Sequence, residues 1–257
     1  MKNEQFEREL EIFRTELEQG TQFFYTYVAL HMVASKRKTV QSLLNMTPLF
    51  WNTILGSLQS STFIVLGRIF EPEKKSRHNL QRLLAMAHEN NQIFSKVALG
   101  KRKKATGLTD SDVNNYLLDV YEPSPEDFRR LQVLTRKWRK IYESKYSDIR
   151  HKIFAHKGET DPPNIEAMFA KTNIQEMQRM FMFLGSLHMA LWQLFFNGLK
   201  PVLRRRRYSV KRILDSPLPE GHVGTVQERI TREAGRFLLD VAALAKPKAL
   251  NKRNYFV

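Results

Sequence analysis

Apolar side chains recur every three or four residues along almost the whole chain, which is the spacing of one face of an α-helix. Near the amino terminus the stripe is formed by Phe6, Leu10, Phe13 and Leu17. A longer stripe comprises Phe128, Leu131, Leu134, Trp138, Ile141, Tyr142, Ile149 and Ile153. We find no strand-like alternation and no internal repeat. The sequence therefore predicts an all-α fold, a bundle of long antiparallel helices with an appended C-terminal helix.

Helix boundaries are indicated by capping residues and by glycine. Gly20 is expected to end the first helix, with Thr21 capping a second one. Another helix is expected from about 78 to 98, followed by a basic loop at Lys101–Lys104. One unbroken helix is expected from about 125 to 155. Five further start signals are Thr47-Pro48, Thr109 with Asp112, Ser124-Pro125, Asn173 with Glu176, and Thr225 with Glu228.

Changes in composition suggest three segments. Residues 1–200 are expected to form one helical domain, and residues 201–224 form a basic, then proline- and glycine-rich linker. Residues 225–257 are expected to form an amphipathic C-terminal helix and a basic tail. The apolar stretch from Met180 to Leu199 is nearly long enough to cross a bilayer, but it contains His188, Gln193 and Asn197, which would be costly in lipid. It is interpreted as a core helix, and no membrane insertion is expected.

The 257 residues carry a formal net charge of +16, so the chain attracts polyanions such as nucleic acid or an anionic membrane surface. The start MKNEQFEREL has no apolar signal core, and cysteine is absent, which together favour a cytoplasmic location. No phosphate-binding loop, dinucleotide fingerprint, HExxH or GxSxG motif is present. The seven histidines show no metal-ligand spacing. We therefore expect neither a cofactor nor a metal.

The segment from Arg150 to His156 carries the chemistry best suited to RNA. A guanidinium can hold a phosphate through two parallel hydrogen bonds, and an imidazole can exchange a proton with a ribose 2′-OH near neutral pH. Six residues on a straight helix leave two side chains roughly 120° apart, so these two converge only if the helix ends or distorts near His156. A second pair with the same spacing, Arg82 and His88, lies among apolar residues in mid-helix.

The octapeptide RHKIFAHK resembles the signature of HEPN-domain proteins, and its Arg-polar-Lys-x-x-Ala-His form is most similar to the abortive-infection type U (AbiU-like) branch. Residues 60–84 also resemble an earlier helix of that branch, with an Arg-aliphatic-Phe-acidic step that begins at Arg68. The resemblance covers about residues 20–200. It implies a helical bundle, frequent homodimers and, often, metal-independent ribonuclease activity.

Carried over from that resemblance, His156 would be the acid/base and Arg150 the phosphate-stabilising residue. His151 occupies the polar position, where Asn or Asp is more usual, and Arg68 is a supporting candidate. The alternative for Arg150 and His156 is a basic helix end that interacts favourably with the helix dipole. Lys152, Arg204, Arg205, Arg206 and Arg207 are candidate nucleic-acid contacts, and the alternative for the arginine run is a solvated helix extension.

Besides a membrane-surface protein, two functions remain open from the sequence. The first is a metal-independent endoribonuclease that acts on RNA in phage defence or in a toxin system, with a homodimeric assembly and an antidote or partner protein. The second is a non-catalytic HEPN-like module that binds RNA or another protein.

Overall fold

The fold was obtained as a computed structural model that describes residues 2–71, 78–155, 161–204, 208–216 and 223–245. These residues form twelve α-helices, one 3₁₀ turn and one π-helical segment, and they contain no β-strand. The predicted all-α class is thereby confirmed. The helices are α1 (Lys2–Lys36), α2 (Lys38–Met46), α3 (Pro48–Phe70), α4 (Leu80–Glu89), α5 (Lys96–Ala105), α6 (Asp110–Leu117), α7 (Pro125–Lys145), α8 (Ser147–Ile149), α9 (Pro162–Ala170), α10 (Ile174–Asn197), α11 (Val210–Asp215) and α12 (Val226–Leu244).

The five start signals that combine a capping residue with proline or an acidic residue are confirmed. Helix α3 begins at Pro48, and capping boxes open α6, α7 and α12 at Thr109, Ser124 and Thr225. In α10 the Asn173 side chain accepts hydrogen bonds from the first-turn N–H groups. Each cap satisfies backbone donors that a helix start leaves unpaired, which is why these boundaries are legible in the sequence.

The predicted stop at Gly20 is wrong, since α1 runs through it without interruption. A Cβ atom on Gly20 would lie 2.8 Å from Cγ1 of Val65 and 3.0 Å from the ring of Phe181. The glycine therefore allows α3 and α10 to approach the helix closely, and this packing outweighs its poor helix propensity. Thr21, expected to be a cap, is a buried residue inside the same helix.

The segment from about 78 to 104, expected to form one helix followed by a basic loop, instead contains two α-helices joined by a 3₁₀ turn. After α4 ends at Glu89, a 3₁₀ turn covers Asn91–Phe94, and α5 then extends to Ala105. The expected loop is therefore helical. Arg102 donates 2.8 Å hydrogen bonds to the carbonyl oxygens of Ile93 and Phe195, which ties the end of this helix to its neighbours.

The single helix expected from 125 to 155 is also broken. Helix α7 ends at Lys145, three residues of α8 follow Tyr146, and Arg150–Ala155 are π-helical. The buried Tyr146 hydroxyl donates to Oε1 of Glu176 at 3.0 Å, and the Phe154 ring lies 5.3 Å from that of Phe63. These contacts hold a wider turn than an α-helix provides, and such π-segments are frequent at functional sites.

The chain forms two compact units. Unit 1 comprises Met1–Gly20 and Ser60–Arg207. Its core includes a cluster of four buried aromatic rings, Phe6, Phe94, Phe128 and Phe195. Helix α10 contributes most of its apolar residues to the interior of this unit.

Unit 2 comprises Thr21–Gln59 and Tyr208–Val257. Its core consists of Leu30, Val33, Val40, Trp51, Leu238 and Ala242. From the sequence, residues 21–59 are expected in the N-terminal domain, α11 in a linker and α12 as an appended helix. Here α12 packs into the unit because its apolar face meets side chains of α1, α2 and α3 that lie far away in sequence. Local composition does not register such long-range packing.

Two helices among the described residues, α3 and α10, are long and apolar enough to cross a bilayer by length and composition. Half of the most apolar window of α10 is buried inside the protein, as expected of a core helix. These helices give no clear membrane-protein signal.

Candidate functional site

The candidate site lies in unit 1, where the end of α3 meets the broken helix that carries Arg150. Tyr142, Tyr146 and Arg150 follow one another at four-residue steps and therefore share one face of that helix. Glu71 is the first residue after α3. The chain thus brings an acidic residue and a basic residue together across almost eighty positions of sequence.

The Glu71 carboxylate is the centre of the cluster. Its Oε2 lies 2.9 Å from Nη1 of Arg150, and its Oε1 accepts a 2.6 Å hydrogen bond from the Tyr142 hydroxyl. Only 11% of the Glu71 side chain and 17% of the Arg150 side chain are exposed. An ion pair so withdrawn from water is screened less than a surface pair, and removal of either partner leaves a charge that is expensive to bury.

His151 joins the same carboxylate. Its Nε2 lies 3.1 Å from Oε1 of Glu71, and its Nδ1 lies 3.0 Å from Nη1 of Arg150. A guanidinium can only donate, so Nδ1 must accept and the ring proton must be on Nε2, which then donates to Glu71. These two contacts fix the orientation of the ring. Because 42% of the His151 side chain is exposed, this ring forms the open side of the cluster.

Gly67 makes room for the arginine. A Cβ atom at this position would lie 2.8 Å from Nε of Arg150 and 3.2 Å from the Tyr142 hydroxyl oxygen. Any larger residue would have to displace the guanidinium or the phenol. The Nε atom is buried and has no hydrogen-bond partner among the described residues. The last turn of α3 therefore fixes where the positive charge lies.

Tyr142 acts as a permanent donor to the cluster. Burial raises the pKa of its hydroxyl, and the hydrogen bond to Glu71 raises it further, since ionisation would place a second negative charge beside the carboxylate. The ring also stacks on Phe70, with centroids 5.6 Å apart. Tyr142 stays protonated and holds one oxygen of Glu71, while the other oxygen pairs with Arg150.

The guanidinium is already partly engaged. Nη1 of Arg150 serves both Glu71 and His151, and Nε is enclosed beside Gly67. In the described part of the chain neither Nε nor Nη2 forms a hydrogen bond, and Nε is buried. A phosphate can therefore approach through Nη2, whereas the two-pronged grip expected from the sequence would require the pair with Glu71 to open.

The other predicted site residues are distributed as follows. His156 and the run Arg205, Arg206 and Arg207 lie outside the described residues. Arg204 is exposed. Lys152 pairs with Asp148 at 3.2 Å on the surface, and Arg68 pairs with Glu16 at 2.9 Å. Arg150 and His151 are thus brought together, whereas Arg68 points to a different partner on α1.

The second Arg–His pair has no comparable surroundings. Arg82 and His88 lie on the regular helix α4, where Arg82 is exposed and Nε2 of His88 is buried without a hydrogen-bond partner among the described residues. Among the described residues, neither of these two side chains forms an ion pair with a carboxylate. Arg150 is thus paired with a buried carboxylate, whereas Arg82 has no such partner among the described ion pairs.

Sequence reasoning missed Glu71 and Tyr142. The step Arg68-Ile69-Phe70-Glu71 already contains the acidic residue, but only its arginine is a candidate in the sequence. One signal points to the carboxylate: Tyr142, Tyr146 and Arg150 share a face with buried apolar residues, so an arginine there needs an acidic partner. Within the described residues, no group of three His, Asp or Glu side chains is placed to hold a metal ion.

The chain matches the model of a protein family along most of its length. The model of the HEPN AbiU2 family matches residues 3–216, which include the Glu71 and Arg150 cluster and most of the chain. No curated protein and no solved structure matches the chain significantly. The match extends the resemblance seen in RHKIFAHK from residue 3, in α1, to the end of α11. The chain therefore belongs to the HEPN AbiU2 family, the abortive-infection type of HEPN domain.

Proposed function

We propose that this protein is a metal-independent endoribonuclease that acts in the cytoplasm, in phage defence or as the toxic component of a toxin system. The observation that supports it most is the Glu71 carboxylate, which holds the Arg150 guanidinium beside His151 at the start of RHKIFAHK. A positive charge fixed before substrate arrives stabilises developing negative charge without reorganisation. A merely favourable helix end would not require a buried carboxylate.

The proposed reaction is an internal transfer of the RNA phosphate. The ribose 2′-oxygen attacks the adjacent phosphorus while His156 removes the 2′-OH proton, and the P–O5′ bond breaks. The leaving 5′-oxygen takes up a proton from a second acid. Arg150 faces the extra negative charge of the pentacoordinate phosphorus. The products are a 2′,3′-cyclic phosphate and a 5′-OH, and DNA is not cleaved because it lacks the 2′-OH.

The experiment that tests this function is gel-resolved cleavage of a mixed RNA pool in the presence of EDTA. We expect cleavage to persist with the chelator, to yield cyclic or 3′-phosphate ends, and to spare DNA of the same sequence. Loss of cleavage on addition of EDTA would contradict the mechanism. Binding of RNA with no cleavage at all would favour the alternative, a non-catalytic module that binds RNA or an antidote or partner protein.

A homodimer is part of the proposal, because one His156 per chain does not readily serve as both base and acid in one turnover. A two-fold axis would bring a second histidine to the same cleft. Sedimentation at micromolar concentration is expected to give the mass of two chains, and mixing an inactive His156→Ala chain with wild type should lower activity more than simple dilution does. A preparation that is monomeric and still cleaves RNA would contradict the dimer.

RNA binding by the arginine run can be tested through salt. If Arg204–Arg207 bind phosphates, replacing all four with serine should reduce the slope of log affinity against log salt by up to about 0.7 for each phosphate no longer bound, the value for single strands. Filter binding at several salt concentrations measures the slope. A control that removes the same amount of charge replaces the exposed residues Lys101, Arg136, Lys137 and Lys140. Equal slopes for the two variants would assign the run to a solvated surface.

A further inference from the structure

Helix α12 carries three arginines that line a cavity within unit 2. Arg229, Arg232 and Arg236 follow one another at steps of three and four residues, so they share one face of the helix. Lys36 and Arg37, where α1 ends, line the same cavity, whose volume is about 800 Å³. Small-molecule sites have volumes of roughly 300–1,000 Å³, so the cavity is large enough for a metabolite.

Positive charge in this cavity is only partly neutralised. Five basic and three acidic side chains line it. Lys36 pairs with Asp215 at 3.2 Å, and Nη1 of Arg232 donates to the carbonyl oxygen of Ser216. The Nε atom of Arg232 is buried without a hydrogen-bond partner in the described part of the chain. That atom has no accessible surface, so the charge available to a ligand comes from the other guanidinium nitrogens along the cavity, and several such groups on one surface favour an anionic ligand.

The exposed arginines strengthen this interpretation. Arg37, Arg229 and Arg236 are exposed, and they form no ion pair with the described residues, although Glu233 and Asp240 lie at i+4 from Arg229 and Arg236. Most basic residues that face solvent alone are simply solvated. These three converge with Arg232 on one concave surface, where their potentials add.

The rest of the lining sets the size and character of the ligand. Val33, Ile213 and Leu239 supply aliphatic surface beside the arginines. Inorganic phosphate would leave that surface uncovered, whereas an organic ligand would bury it. Gly235 contributes as well, because a Cβ atom there would clash with Cδ2 of Leu214, so the glycine sets how closely α11 approaches this wall.

We propose that this cavity binds a small organic diphosphate, with Arg229 and Arg236 on the phosphate groups and the aliphatic wall against the organic part. Guanidinium groups hold phosphates through paired, charge-assisted hydrogen bonds, which explains why arginine rather than lysine lines this face of α12. The family match ends at residue 216, before α12 begins. Lys36, Arg37 and α11 lie within the match, but none of the residues that line the cavity belongs to the Glu71 and Arg150 cluster, so the site does not depend on the proposed ribonuclease.

The test is calorimetric titration of the full-length protein with ADP as the organic diphosphate, and with pyrophosphate for comparison. We expect one ADP per chain and tighter binding of ADP than of pyrophosphate. Arg229→Ser with Arg236→Ser should weaken ADP binding by at least about tenfold, because removing a charged hydrogen bond matters on that scale. The control Lys211→Ser with Arg212→Ser removes the same charge from exposed positions of α11 and should bind as wild type does.

A milder variant guards against misfolding. Arg229→Lys with Arg236→Lys keeps both charges but loses the two-pronged geometry, so its affinity should fall between those of wild type and the serine variant. The proposal is overturned if ADP does not bind at about millimolar concentration or binds the serine variant and the control equally. If pyrophosphate binds as tightly as ADP, the proposal that the ligand carries an organic group is overturned. If binding of an RNA oligonucleotide depends on Arg229 and Arg236 while binding of ADP does not, the surface is assigned to nucleic acid instead.

Discussion

Replacing His156 with alanine is expected to lower the rate of RNA cleavage by about 10²–10⁴-fold, since that is the usual contribution of a positioned acid or base. Under the proposed mechanism no other group takes the 2′-OH proton as directly. His151 is expected to matter less, because its two ring nitrogens already contact Arg150 and Glu71. The measurement is the initial rate of cleavage of a defined RNA in EDTA. A His156→Ala protein as fast as wild type would remove this residue from the mechanism.

Arg150→Ala should lower the rate by a similar factor, because the negative charge that develops at phosphorus is no longer stabilised. Arg150→Lys should not restore it fully, because an ammonium group cannot pair with Glu71 and still present a second, fixed donor to the phosphate. The matched controls are Arg82→Ala and His88→Ala on α4, which reproduce the same spacing without a carboxylate. Both should retain activity if they fold, which circular dichroism checks.

Much of the fold could be predicted because it depends on local signals. Caps at Thr109, Ser124, Asn173 and Thr225 satisfy neighbouring backbone groups, so each helix start is determined within four residues. Gly20 failed as a predictor because its role is set by Val65 and Phe181, which pack against it from distant helices. Local patterns cannot distinguish a glycine that ends a helix from one that lets another helix approach.

The candidate site could be predicted only where its residues are adjacent in sequence. Arg150 and His151 belong to one short motif, which identifies both. Glu71 joins them through the packing of α3 against α7, and its hydrogen bond from Tyr142 depends on that packing. The break at Tyr146 and the π-helical turn could not be predicted either, because they arise from contacts with Glu176 and Phe63 rather than from a helix-breaking residue.

Glu71 is the residue whose replacement tests the cluster itself. Glu71→Ala is expected to lower kcat by roughly 10²-fold while KM changes little, because a guanidinium displaced by about 1 Å loses catalytic geometry without losing substrate contacts elsewhere. Glu71→Asp keeps the charge and should recover part of the rate. Glu71→Gln keeps hydrogen-bonding capacity without the charge, so it should recover less.

Glu71→Ala should also lower the free energy of unfolding. Removing one partner of a fully buried ion pair costs roughly 3–5 kcal/mol, and the effect here should be smaller because Arg150 and His151 are partly exposed. The control is Glu143→Gln. The Glu143 carboxylate pairs with Arg139 at 2.7 Å on the surface of α7, so its loss should lower the free energy of unfolding by about 1 kcal/mol or less. Chemical unfolding of the wild type, Glu71→Ala and Glu143→Gln measures the differences in the free energy of unfolding.

Gly67→Ala changes the position of the Arg150 guanidinium without removing any charge from the cluster. The added Cβ would meet Nε of Arg150 at 2.8 Å, so the guanidinium must move although every charge in the cluster remains. We expect kcat to fall as in Glu71→Ala, whereas Gly56→Ala on the same helix, with open space around its Cβ, should leave the rate unchanged. If Gly67→Ala cleaves RNA normally while Glu71→Ala does not, the carboxylate acts through its charge and not by positioning Arg150.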